Sequence, residues 1–435
     1  MCVLALFTFL SCGDLLTSRD KNRPNIILVS IDTLRADHIH GYGYERETTP
    51  TLDDLMQRGT SFLNTISPSP WTLPAHVSLF TSLYPHTHGV TDHMLAVNER
   101  VPALGELLGR AGYTAGAFTT SPNLSPRHGF GWGFDAYVCK EERAPAVCER
   151  ALAWLTQIQS KEFFLFLHFF DVHNDYTPLP HYLEMFESSY DGEIDGTGKI
   201  LYEVRDGNME LSDEDVRHLI ALYDGEIRQL DQTLGVFFGA LEQKGLLSNT
   251  VIIITSDHGE EFMEHGGVLH GRTLYDELVK VPLILVGPTI PAGKLIETQA
   301  ELIDIMPTIL ELCGVRIPSG LEGRSLLALI SQSDADWPEI AFAEADHKNE
   351  VHDVKRIIRT DRYKLYYDRH TKQEELYDIV LDPGESNNIL EQKPEVAEEL
   401  RTKLRAWMAT RKGNPTTFTL TDNEKERLRA LGYLN

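Results

Sequence analysis

The amino-acid sequence predicts an α/β fold: a doubly wound, mostly parallel sheet flanked by helices, with a smaller C-terminal α+β subdomain. Three observations lead there. Short aliphatic and β-branched runs alternate with longer amphipathic stretches, the pattern of strands covered by helices on both faces. The chain has 435 residues, 42% of them hydrophobic and 24% charged, which is longer than one compact core usually fills. From about Ala341 the strand-like segments become richer in charge, which marks a change of architecture.

The expected buried strands are, in order, Asn25–Ile31 (NIILVSI), Thr114–Thr119 (TAGAFT), Phe163–Phe170 (FFLFLHFF), Thr250–Thr255 (TVIIIT) and Val281–Val286 (VPLILV). Helical periodicity lies between them at Thr51–Arg58, Pro74–Leu83, Pro102–Ala111, Ala146–Gln159 and Asp213–Lys244. The later region predicts strands over Val354–Thr360 and Tyr363–Asp368, a turn at Asp382-Pro383-Gly384 and a polar helix over Pro394–Arg411. The acidic stretch Ser331–Pro338 is the best linker candidate, so the expected division is 22–330 and 331–435.

Residues 1–21 are set apart. Val3–Leu10 is apolar but too short to span a bilayer and resembles a signal-peptide core. Phe9-Leu10-Ser11-Cys12 is similar to a lipoprotein cleavage box, which makes Cys12 a candidate lipid anchor and predicts export to a periplasm or a membrane surface. A plain signal peptide and a misplaced start are the alternatives. The formal net charge of -25 argues against nucleic acid as a partner, because binding to a phosphate backbone needs a basic surface. The five cysteines show no metal-type spacing; Cys139 and Cys148 either pair across a short loop or stay free.

Open α/β sheets bind ligands beyond the carboxyl ends of their strands. Three expected strands run directly into polar residues: NIILVSI into Asp32, TVIIIT into Asp257 and His258, and FFLFLHFF into Asp171 and His173. Carboxylates and an imidazole converging on one edge suit zinc, manganese and, less well, calcium; singly, each residue also fits a cap or a turn. In Trp71-Thr72-Leu73-Pro74-Ala75-His76, Pro74 suits a first helical turn. Thr72 would then sit at a helix N-terminus, either as a simple cap or as a hydroxyl nucleophile activated by a cation.

The ordered set NIILVSIDTLRADHIHGYGY, TTPTLDDL, PWTLPAHVSLFTSLYPHTHGV, FLHFFDVHNDYTP, SDHGEEFMEHGG and HGRTLYDELVKVPLIL resembles the sulfatase family of the alkaline-phosphatase-like superfamily. RTDRYKLYYD, ELYDIVLDPGESNNI and LRALGYL agree, so the resemblance spans roughly Asn22 to Asn435. It implies an alkaline-phosphatase-like fold and one divalent metal ion (Zn, Mn or Ca) on Asp32, Thr72, Asp257 and His258. It also implies a sulfate or phosphate ester substrate, either a small molecule or on a glycan or lipid. Thr72 falls at the nucleophile position, with His173 and His270 as substrate-contacting acid–base candidates.

Two departures matter. The family's C/S-x-P-x-R box, whose first residue is oxidised to formylglycine, here reads T-L-P-A-H. Threonine cannot yield that aldehyde, and His76 replaces the arginine. Thr33 stands where many sulfatases carry a second metal aspartate, and His258 supplies nitrogen where others supply an amide oxygen. The set is similar to the Asp/Thr/Asp/His site of threonine-nucleophile phosphodiesterases and phosphoglycol-transferring relatives, which favours phosphoester over sulfuric ester chemistry. A phosphoglycol-type transferase and a non-catalytic anion-binding protein on the same fold are the competing expectations.

Of the remaining polar residues, Arg35 and Asp37 either reach the site or pair with each other, and Asn123 either faces substrate or serves a turn. The carboxylates of YDGEIRQLDQTLG are expected to form a solvated helix face, with a second metal beside His173 as the alternative. Tyr190–Glu210 is expected to be an exposed loop that could cover the pocket.

Overall fold

The computed structural model describes residues 23–158, 162–332, 336–346, 354–410 and 413–430; the N-terminal apolar run and Cys12 lie outside them. A nine-stranded sheet forms the frame. Its strands are β1 (Asn25–Ile31), β2 (Thr60–Ile66), β3 (Thr114–Thr119), β4 (Ala136–Cys139), β5 (Phe163–Phe169), β6 (Thr250–Thr255), β7 (Lys280–Val286), β8 (Lys294–Ile296) and β9 (Ala300–Glu301). They lie in the order β8-β2-β7-β6-β1-β5-β3-β4, with β9 also on β2. β1 pairs in parallel with β5 and β6, and β3 with β5 and β4, while β7 runs antiparallel to β6 and β2.

The helices flanking it are α1 (Pro50–Arg58), α2 (Thr72–Thr81), α3 (Leu104–Arg110), α4 (Ala144–Gln157), α5 (Asp213–Gln243) and α6 (Ile305–Leu312). Strand alternation divides the core in two. Ile26, Leu28, Phe164 and Phe166 pack with Leu73, Val77 and Phe80 of α2 and with Ile305 and Ile309 of α6. Ile27, Val29, Leu165 and Leu167 pack with Val147 and Ala151 of α4 and Leu219, Leu222 and Leu230 of α5. Helix α2 starts at Thr72 rather than at Pro74; a proline in the first turn leaves no intrahelical donor unmet.

A second, antiparallel sheet follows: β10 (Ile340–Asp346), β11 (Val354–Thr360), β12 (Tyr363–Asp368) and β13 (Glu374–Asp378). One face buries Ile358, Leu365 and Leu376 under Ala397, Leu400 and Leu404 of α7 (Pro394–Met408). Ala341, Ala343 and Ile357 pack on Leu274, Leu278 and Val279 of the first sheet's connections. Asp276 crosses between the two units, accepting from Arg359 and, at 3.0 Å, from Lys364 Nζ.

Two expectations change and one open alternative is decided. The α5 carboxylates are not a solvated face: Asp224, Glu226 and Asp231 are buried and act as connectors. Asp224 takes His38, Tyr44 and Arg46; Glu226 takes Arg143 and the Thr177 amide; Asp231 takes the Thr51 and Leu52 amides. A helix laid along the sheet at this length cannot keep every polar residue in water, so these find charged or backbone partners. Cys139 and Cys148 are both free: Cys139 donates to the Ser121 carbonyl, whereas Cys148 faces the core beneath α4. The Tyr190–Glu210 segment contains a helix, Gly198–Arg205, with Leu201 and Val204 buried.

Asp231→Ala removes the carboxylate that satisfies two amides at the start of α1 and leaves them buried. Such a loss is expected to destabilise the protein by about 2–3 kcal/mol, read as a lower urea midpoint at unchanged slope. A midpoint shift within error of zero would show that these amides find other partners.

Candidate active site

Register places the chemistry. In the parallel ladder Ser30 of β1 lies opposite both His168 of β5 and Thr255 of β6, so residues just beyond these positions meet at one sheet edge. Asp32 follows β1, and its amide continues the ladder to the Phe169 carbonyl at 2.9 Å. Asp257 and His258 follow β6. Thr72, the first residue of α2, approaches from the face of the sheet that carries Phe164 and Phe166. Asp32, Thr72, His76, His168, Asp257 and His258 are all buried.

Their separations define one compact cluster. His258 Nε2 lies 3.6 Å from Asp32 Oδ1, 3.3 Å from Asp257 Oδ2 and 3.5 Å from Thr72 Oγ1. His168 Nε2 lies 3.2 Å from Asp32 Oδ2, and His76 Nδ1 lies 3.5 Å from Asp257 Oδ2. Both Asp32 oxygens and Asp257 Oδ2 accept no hydrogen bond. His258 Nδ1 faces the Gly259 carbonyl at 2.9 Å; that carbonyl can only accept, so Nδ1 carries the proton and Nε2 turns a lone pair toward two carboxylates. Unpartnered carboxylate oxygens facing an imidazole lone pair are the donor set of a cation site. Asp32, Asp257 and His258 therefore fit the divalent metal expected from the sequence.

Burial dominates the protonation of the metal-free cluster. It pushes the Asp32 carboxyl up to about 7 against the opposing pull of His258, and Asp257 up to about 7 with Asp32 adding to the rise. Burial likewise pushes His258, His168 and His76 each down to about 4. The environment resists charge of either sign, so a bound cation and the two carboxylates would stabilise one another.

His173 and His270 stand above the cluster. Their rings are 4.9 Å apart, and His270 is 4.5 Å from His258. His173 donates through Nδ1 to the Asn174 carbonyl and stacks on Phe170 at 3.9 Å. His270 Nδ1 meets Glu260 Oε1 at 2.9 Å, and Tyr176 donates to Glu260 Oε2 at 2.7 Å. A cleft of about 320 Å³, lined by Thr120, Arg143, Phe170, Asp171, His173 and Asn174, opens beside them. The insert helix Gly198–Arg205 packs on the short strand Val268–Leu269 that leads to His270. Burial, reinforced by Arg205, pushes His270 down to about 3.

Every expected site residue thus reaches this edge except Asp171. Its Oδ1 accepts from the Ala144 amide at 2.9 Å and caps α4. The ladder ends at the pair Ile31 and Phe169, two residues before Asp171, whose carboxylate is turned to α4 instead of the cluster. Thr33 does not replace an acidic ligand with another charge; it adopts a left-handed φ of 58° and its amide donates to Asp257 Oδ1 at 3.3 Å. Arg35 is spent on Asp37, Glu264 and the Glu260 carbonyl, and Asn123 accepts from His93. Sequence reasoning missed Glu260, two residues after His258 in SDHGEE, and His168, whose signal was a lone imidazole in an otherwise apolar buried strand.

Comparison with known proteins agrees with this architecture. A model of the family described as Sulfatase matches residues 24–315, and one described as N-sulphoglucosamine sulphohydrolase, C-terminal, matches 263–412. The chain is 25% identical to arylsulfatase K of Mus musculus over 88% of its own length and 79% of that protein's. It superposes with a TM-score of 0.77 at 22% identity on a protein solved with its substrate D-glucosamine-2-N,6-O-disulfate, covering 89% of this chain and 97% of the other. With the phosphonate monoester hydrolase of Agrobacterium radiobacter the TM-score is 0.74 at 21% identity, covering 92% and 100%. The family match spans most of the chain and contains the whole cluster at the sheet edge: this chain belongs to the sulfatase family of ester hydrolases.

Proposed function

We propose that the enzyme is a metal-dependent phosphoester hydrolase that uses Thr72 as its nucleophile. The observation that carries this is a buried threonine hydroxyl at the start of α2, 3.5 Å from His258 and in the same cluster as three carboxylate oxygens that accept no hydrogen bond, where the family's usual nucleophile is an oxidised cysteine or serine. A hydroxyl is a weak nucleophile at its own pKa. A divalent cation held by Asp32, Asp257 and His258 would lower that pKa and offset charge on the ester oxygens.

The chain's own residues supply the rest. With its hydroxyl proton released to solvent, Thr72 Oγ would form a bond to phosphorus while the bond to the leaving oxygen breaks, leaving a phosphothreonine that water cleaves in the second half of the cycle. His76 Nδ1 donates to the Thr72 carbonyl at 2.9 Å and Ser30 Oγ donates to His76 Nε2 at 2.9 Å, so the nucleophile's backbone is held from β1. Burial pushes the Glu260 carboxyl up to about 7 and His270 down to about 3, so below neutral pH the pair would keep one proton at zero net charge that His270 Nε2 could pass to a leaving oxygen. His173, fixed by Asn174, is placed to hydrogen-bond the ester.

Sulfate esters are the second substrate class, favoured by the likeness to arylsulfatase K and to the glucosamine disulfate complex. Export, with Cys12 as a lipid anchor, is proposed from the N-terminal pattern alone.

A panel of aryl sulfate, phosphate monoester, phosphodiester and phosphonate ester substrates, run on wild type and Thr72→Ala, tests the proposal. Phosphoester turnover should fall by about three orders of magnitude or more in the variant. Sulfate turnover alone, or activity that survives the substitution, would overturn it.

Metal binding should also depend on pH with a defined sign. With Asp32 and Asp257 raised to about 7, the metal-free fold retains protons that the unfolded chain has released above about 4. Its stability therefore falls as pH rises through that window. A cation must displace these protons, so its affinity should climb by up to about tenfold per pH unit per proton between roughly pH 5 and 7 and then level off. Calorimetric titrations across this range measure it; an affinity independent of pH would show that the two aspartates hold no proton for the cation to displace.

A further inference from the structure

His168 belongs to none of the ligand positions that the family pattern supplies. It sits one residue from the end of β5, opposite Ser30, on the face of the sheet that otherwise buries Phe164 and Phe166. It has no exposed surface. Its ring nitrogens differ sharply in environment. Nδ1 lies 3.3 Å from Thr120 Oγ1, while that hydroxyl also lies 3.1 Å from the His168 carbonyl. A hydroxyl has one hydrogen. The arrangement that satisfies every atom has Thr120 donating to the carbonyl and accepting from Nδ1–H.

Nε2 is then the deprotonated nitrogen, 3.2 Å from Asp32 Oδ2 and without a hydrogen-bond partner, as is that oxygen. A lone pair facing a carboxylate is repulsive unless positive charge lies between them. His258 shows the same pattern from the other side of Asp32: Nδ1 on a neutral oxygen, Nε2 toward the carboxylates. Asp32 thus offers Oδ1 to one imidazole and Oδ2 to the other. His76 shares a cluster with His168 and Asp257, but its nitrogens are already engaged by the Thr72 carbonyl and the Ser30 hydroxyl.

We propose that His168 ligates the active-site metal through Nε2, so that the site draws on two imidazoles, two carboxylates and Thr72 and selects a borderline d-block cation such as zinc or manganese over calcium. Nitrogen donors favour such ions, whereas calcium takes oxygen ligands. Thr120 acts as a positioning residue that sets the tautomer of His168.

The inference rests on the metal site proposed above, and binding measurements separate the two. Zinc and calcium affinities are measured by chelator competition on wild type, His168→Gln and Thr120→Val, with the visible spectrum of the cobalt(II)-loaded proteins as a readout independent of turnover. Thermal melts of the metal-free proteins establish that the variants fold. His168→Gln should lower zinc affinity at least about tenfold, shift the zinc-to-calcium preference toward calcium and alter the cobalt spectrum. Thr120→Val should weaken zinc about 10–100-fold, as loss of an outer partner of a ligating histidine does. If His168 were instead an imidazolium paired with Asp32, its removal would leave metal affinity unchanged or raise it, and the inference would fall. A wild-type protein that binds no divalent cation would overturn the metal site itself.

Discussion

Two carboxylates, Asp32 and Asp257, are buried beside each other at the centre of the sheet edge, and the three oxygens that face the cluster receive no hydrogen bond. Buried carboxyl groups without donors oppose folding, because none of the three oxygens recovers the water it gave up. The surrounding structure keeps them there. Backbone ladders on either side of β1 hold Asp32 in place, and the Thr33 and His258 amides hold the other oxygen of Asp257. The left-handed backbone at Thr33 belongs to the same arrangement: it aims that amide at Asp257, and the Thr33 carbonyl accepts from Tyr223 of α5. This much hydrogen bonding committed to orienting three carboxylate oxygens that accept none is what the proposed cation would require.

The second domain-scale feature follows from what lies beneath that edge. Segment 257–264 carries His258, Glu260 and Glu264, and Arg35 clamps it from the side of β1 through Glu264 and the Glu260 carbonyl. Gly259 is pressed against this frame so closely that an added Cβ would lie 1.9 Å from the Glu277 carbonyl. The following turn, 276–279, is held in turn by the second sheet through Asp276, Arg359 and Lys364. Chemistry at the sheet edge is thereby braced by the C-terminal sheet, although none of the cluster residues comes from it.

Much of this was legible in the sequence because β1, β5 and β6 are fully covered strands: they read as continuous apolar runs, and the polar residues at their ends stood out. The same logic concealed what alternation decides. Asp171 also follows an apolar run, yet its carboxylate goes to the Ala144 amide at the start of α4. His168 lies inside the run and was counted as part of it. β2, with Ser61, Asn64 and Thr65 among its residues, carries too little apolar signal to declare itself, and the antiparallel sense of β7 depends on connections that no local pattern encodes. The buried carboxylates of α5 were misread because their partners, Arg143, Arg46 and the α1 amides, are 70 or more residues away in the chain.

The two departures from the family box then read as one correlated change rather than separate ones. With a threonine at position 72, no aldehyde hydrate is available to present a second oxygen, and an arginine at position 76 would place a permanent cation beside the metal position. A histidine there is held neutral by burial and supports Thr72 by hydrogen bonding to its carbonyl. Without that cation the proposed metal would meet no fixed positive charge at position 76, and the nitrogen donors His258 and, as proposed, His168 would suit a cation that polarises a hydroxyl more than calcium does. The proposed nucleophile, its positioning residue and the proposed ligand set are consistent with one chemistry, in which the acidity of an ordinary hydroxyl would be raised by its surroundings instead of by covalent maturation of the side chain.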